Sequence, residues 1–146
     1  MKLGVDARLE AFVALVAAVA LAFTHRHELD VARFAALFII IDVVGYLPGL
    51  LAHRVAGGRP IAPVYYALYN GAHSFVTGAV VAAVWAIALR PEWALLAIPI
   101  HLLGDRALFG NFRKSAGAPF EPAPELRRKT TDVSLGRRVA SRRLAR

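Results

Sequence analysis

The 146 residues contain no cysteine, so neither a disulfide nor a thiolate metal site can form, and any metal would have to rely on imidazole, carboxylate or backbone oxygen. Charge is scarce too, at 19% of residues against 58% hydrophobic, and long stretches carry none. A chain with so little polar surface is not an ordinary soluble domain, and its apolar faces are expected to meet lipid. There is no phosphate-binding glycine loop, no nucleophilic serine motif and no internal repeat of the kind seen in inverted-repeat transporters. The net charge of +8 is unevenly spread, for ten of the 18 Lys and Arg lie in residues 113–146, opposed there by Glu121, Glu125 and Asp132. The rest is a nearly neutral hydrophobic body. A basic tail beside anionic headgroups explains this pattern more simply than nucleic-acid binding does.

The apolar runs predict an all-α fold, a four-transmembrane-helix bundle spanning residues 9–24, 34–52, 62–89 and 93–112, followed by a basic tail over 113–146. The first run is read as a retained helix and not a cleaved signal, because Asp6 and Glu10 interrupt its basic flank. Pro63 suits the first turn of the third span, Tyr65 and Tyr66 suit a headgroup belt, and Trp85 and Trp93 suit the opposite interface. An even number of passes puts both termini on one side. The tail's arginines, with Arg54 and Arg59, make that side cytoplasmic by the positive-inside rule. Beyond residue 112, Pro119, Pro122 and Pro124 predict an extended linker over 113–131. Asp132 to Arg146 fits either a thin amphipathic helix carrying Val133, Val139 and Leu144 or disorder.

Few strongly polar side chains fall inside the spans: Asp42 in the second, Asn70 and His73 in the third, and His101 and Asp105 in the fourth. At a rise of ~1.5 Å per residue, Asp42, His73 and His101 all sit roughly 15 Å from the cytoplasmic helix ends. Asp105 follows His101 by one turn on the same face. A lone charge at that depth costs at least ~2.5 kcal/mol, whereas an interhelical polar pair returns only ~0.6 kcal/mol on average. Packing alone is therefore a poor reason for so many ionisable groups at one level. Two His and two Asp supply the N and O donors of a divalent-metal site for zinc, iron or manganese, with Tyr46, Tyr69, Asn70 and Ser74 behind the ligands. Arg106, Arg113 and Lys114 are expected to reach lipid headgroups. His25 and His27 fall in an outer loop, and His53 ends the second span.

The segments Asp42-Val-Val-Gly45-Tyr46, Tyr69-Asn70-Gly-Ala-His73-Ser74 and His101-Leu-Leu-Gly-Asp105-Arg106-Ala-Leu-Phe-Gly110 together resemble an uncharacterised bacterial family of small four-span membrane proteins. Its motifs read D-x-x-x-G-Y, Y-N-x-x-H-[ST] and H-x-x-x-D-R-x-x-G-Y-G, and the likeness covers about Phe34 to Lys114. Asn111 and Phe112 depart from its Tyr-Gly ending. The resemblance implies a multi-pass protein of the bacterial inner membrane and names no reaction. A more distant similarity, by analogy, is to inner-membrane metal-dependent hydrolases with D-x-D-H, T-H-S and H-x-x-x-D segments, which implies metal-assisted hydrolysis of a lipid-like substrate. The alternative is a non-enzymatic protein that handles protons or ions or serves a membrane assembly. Four spans are few for transport, so that alternative calls for a homo-oligomer.

Overall fold

A computed structural model describes residues 4–110 and 113–121. The expected short helix over 132–146 and most of the basic tail lie outside the described residues. Among the described residues every regular element is helical. Helix α1 spans Val5–Thr24, α2 spans Val31–Gly45, α3 spans Leu47–Val55, α4 spans Pro63–Ala72, α5 spans Phe75–Ala88 and α6 spans Ala97–Gly104.

Two stretches are long and apolar enough to cross a membrane, Val5–Thr24 and Val31–Val55, each reaching past the residues 9–24 and 34–52 that hydropathy picked out. In the second, α2 runs into α3 through Tyr46, which keeps helical dihedrals and bonds its N–H to Asp42. Pro48 is tolerated there because it lies in the first turn of α3, where its missing N–H costs little. Asp30 caps the start of α2 by accepting the Arg33 N–H at 3.0 Å.

The expected single helix over 62–89 is instead two, α4 and α5, bent by 58° at His73 and Ser74. Ser74 takes an extended conformation and its hydroxyl accepts the Val76 N–H at 3.2 Å, so the side chain starts a new helix where the hydropathy pattern runs on unbroken. The bent pair makes a third candidate crossing if it counts as one span. The expected fourth helix over 93–112 is shorter and less regular. A 3-10 turn, Trp93–Leu96, precedes α6, and a π-helical turn, Asp105–Phe109, follows it, closed by Gly110 at φ +65°, where a side chain would be strained.

This last segment is fastened to α1 at both ends. The His25 ring stacks on Trp93 at 3.6 Å while the Trp93 indole donates to Glu28, and at the other end Arg8 donates to the carbonyls of Ala107 and Leu108. The hydrogen bonds from His25 and then Trp93 hold the Glu28 carboxyl below the ordinary range. Residues 8–25 and 93–108 therefore run side by side in opposite directions as one layer, roughly 25 Å long at helical rise. Arg33 meets Glu92 at 2.8 Å, which sets the start of α2 at the Trp93 end of that layer.

The interior is thin and built from three small clusters. Leu37 packs with Ala94 and Ala97; Ile41 packs with Ile98 and Leu102; Tyr66 and Tyr69 enclose Phe120. The outward faces remain apolar, with Val76, Ile87 and Val5 all more than 70% exposed, a surface that suits hydrocarbon.

Candidate metal centre

Four helical segments converge on one point. Asp42 comes from the last turn of α2, His73 from the break between α4 and α5, His101 from α6, and Asp105 from the π-helical turn. The His73 Nε2 lies 3.3 Å from Asp42 Oδ1 and 3.4 Å from Asp105 Oδ2, and the His101 Nε2 lies 3.7 Å from the same Asp42 oxygen. One donor atom from each of Asp42, His73 and His101 falls within 4.8 Å of the others, so these three could hold a metal ion. Both histidines are buried, while 51% of the Asp42 side chain remains exposed.

The hydrogen bonds around His73 define what its ring can offer. Its Nδ1 is 3.0 Å from the Tyr69 carbonyl, which can only accept, so that nitrogen carries a proton. The remaining nitrogen, Nε2, then points at two carboxylate oxygens. If it bears a lone pair, no donor stands between it and them; the contact is favourable only when a second proton or a cation fills the space. Neither ring nitrogen of His101 has a hydrogen-bond partner among the described residues. Phe38 covers that ring edge-on at 4.7 Å, which shields it from water.

The break between α4 and α5 helps place His73. Had α4 continued, residue 73 would have kept helical dihedrals; instead it caps α4 at ψ 19°, with its N–H bonded to Tyr69. Tyr69 also stacks on the His73 ring at 4.1 Å, and Tyr46 meets Tyr69 edge-on at 6.4 Å. Gly45 provides the space behind: a Cβ there would stand 2.6 Å from the Ala72 Cβ and 3.0 Å from His73 Nδ1.

Several residues singled out in the sequence have other partners. Asn70 holds the backbone of Lys114 with two bonds of 2.8 Å, and Ser74 caps α5. Arg106 donates to the Leu102 and His73 carbonyls and lies over the Phe75 ring at 4.0 Å. Lys114 places its ammonium between the Phe120 carbonyl and Glu121, while Arg113 is exposed. Phe38 and Phe120 were not anticipated. Phe38 carries a signal, being one turn before Asp42, but Phe120 sits in a Gly/Pro-rich stretch with no periodicity to mark it.

In this chain Asp42 and Gly45 stand one residue closer than D-x-x-x-G-Y requires, and Arg106 and Gly110 one residue further apart than D-R-x-x-G requires. Comparison with known protein families, curated proteins and solved structures finds no match, so what stands is a helical chain with two or three apolar candidate spans and an Asp/His cluster that could hold a metal.

Proposed function

We propose that the chain is a four-pass membrane protein whose second, third and fourth passes hold a divalent metal at Asp42, His73, His101 and Asp105, and that it hydrolyses a lipid-borne ester or phosphoester. The observation that carries this reading is the His73 ring, with Nδ1 committed to a carbonyl and Nε2 aimed at two carboxylates. Two imidazoles and two carboxylates suit zinc, iron or manganese. Such an ion, when bound, lowers the pKa of a water and polarises a carbonyl or phosphoryl oxygen. The half-exposed Asp42 side chain supports a substrate from the bilayer, because a carboxylate on a lipid-facing flank is costly unless a polar group meets it. The fastening of residues 93–108 to both ends of α1 supports the fourth pass. Positive-inside charge supports cytoplasmic termini in a bacterial inner membrane, and the excess of arginine in residues 113–146 supports binding of anionic lipid headgroups by the tail.

Metal analysis of the purified full chain in mild detergent tests the centre. About one ion per chain is expected, with binding weakened at least ~100-fold by His73→Ala, by His101→Ala and by Asp42→Asn. A protein that takes up no zinc, manganese or cobalt would rule the reading out.

A second reading, proton handling or packing by the same groups, is favoured by the 3.3 Å contact between His73 and Asp42, which suits an imidazolium. The His101 ring, which has no hydrogen-bond partner among the described residues, separates the two. If His101 serves a metal, His101→Leu removes an unsatisfied buried polar group, and the metal-free protein should be as stable as before or up to ~2 kcal/mol more stable. If the ring is part of the packing, the same change lowers stability; detergent unfolding of the metal-free protein distinguishes them.

A further inference from the structure

The end of the bundle that carries Tyr46, Tyr66 and Tyr69 is closed by a piece of chain that belongs to no helix. Residues 113–121 turn back beneath α3 and α4, and their Phe120 is 1% exposed, the most buried large side chain of the described residues together with Leu102. It is seated against Gly49, where a Cβ would stand only 2.2 Å from its ring, and against Tyr46, Tyr66 and Tyr69. Three further contacts fasten the segment. Asn70 pairs with both backbone groups of Lys114, the Tyr66 hydroxyl donates to the Ala118 carbonyl at 2.7 Å, and the Lys114 ammonium bonds the Phe120 carbonyl and Glu121 at 2.6 Å each. That ammonium also lies over Phe120, Tyr69 and Tyr46 at 4.1, 4.9 and 5.3 Å.

Tyr69 joins this assembly to the cluster, for its ring meets Phe120 at right angles at 6.0 Å and stacks on the His73 ring at 4.1 Å. We propose that residues 113–121 form an inner strap that seals the Asp42, His73 and His101 cluster from the aqueous phase at the Tyr46, Tyr66 and Tyr69 end, and that the strap must lift for water or an ion to reach the cluster. The proposal takes from the preceding reading that this end faces water and that the open side of Asp42 faces lipid; it does not need a metal. Few contacts hold the strap and all lie within nine residues. Such a segment opens locally without unfolding the helices.

Two variants lift it from opposite sides. Phe120→Ala removes the plug, and Gly49→Ala fills its seat while favouring the helix that carries it. The full chain in lipid vesicles is labelled with hydroxyl radicals generated from water, and modification is read at His73 and His101, neither of which touches the strap. Labelling of both histidines is expected to rise roughly tenfold in each variant, and cobalt uptake to accelerate by a similar factor with little change in affinity. Unchanged labelling of His73 and His101 in both folded variants would overturn the strap. Raised labelling with no cobalt bound by any form would leave the strap standing and remove the metal. Should either variant fail to fold, Lys114→Met, which deletes only the ammonium, is read by the same rule.

Discussion

Gly45→Val is expected to abolish metal binding and to lower stability by ~3 kcal/mol or more, the largest loss among single substitutions near the cluster. Even the first added carbon would meet the Ala72 Cβ at 2.6 Å and His73 at 3.0 and 3.1 Å. Ala72 cannot swing aside, since its Cβ is fixed to the α4 backbone, so α2 and α4 must separate. Separation carries His73 away from Asp42, and the 3.3 Å contact between them has no slack. Gly45→Ala provides the graded control. It raises helix propensity by up to ~1 kcal/mol, so any net loss must come from the crowded contact. Cobalt titration and unfolding in detergent measure both effects, and a valine variant that binds cobalt like the parent would show that the helices approach less closely than described.

Much of this arrangement was legible in the sequence, and the reason is geometric. Helical rise is constant, so counting residues placed Asp42, His73 and His101 at one depth, and they do converge. The long uncharged runs marked α1 and the α2–α3 stretch for the same kind of reason. Local hydrogen bonding was harder to read. Ser74 ends one helix and caps another inside a continuous apolar run, and a hydropathy pattern does not register a hydroxyl that competes for a backbone N–H. The 3-10 and π-helical turns flanking α6 are likewise settled by contacts, at Trp93 with His25 and Glu28 and at Ala107 and Leu108 with Arg8. Phe120 was illegible because the aromatic residues it packs against lie more than 50 positions away in chain order, and the stretch around it, Gly117-Ala118-Pro119 and Glu121-Pro122, has no apolar periodicity. Arg106 shows a subtler case. Its angle on the helix suggested a reach toward headgroups, but the α4–α5 break leaves the His73 carbonyl within its range.

At the opposite end of the bundle, Glu92→Ala is expected to destabilise the folded protein by about 1–3 kcal/mol, most of it from the Trp85 donor left without its acceptor. The Glu92 side chain is only 8% exposed although it precedes the 3-10 turn at Trp93–Leu96, and its two oxygens are separately engaged. One accepts the Trp85 indole N–H at 2.6 Å and the other meets Arg33 at 2.8 Å. Three helical segments are thus tied by one carboxylate: the start of α2 through Arg33, the end of α5 through Trp85, and the start of the last segment through Glu92 itself. Alanine leaves the indole donor without its acceptor and Arg33 with only Asp30 at 3.3 Å. Glu92→Gln keeps the size and one acceptor but not the charge, so its loss should fall between alanine and the parent, near half. The ordering matters more than either value, and unfolding in detergent at two salt concentrations reads it. Because the side chain is sheltered, the difference between glutamine and the parent should shrink only slightly in high salt. Complete loss of that difference would mean that Glu92 contributes as an exposed surface charge and that the three segments are joined by their apolar contacts alone.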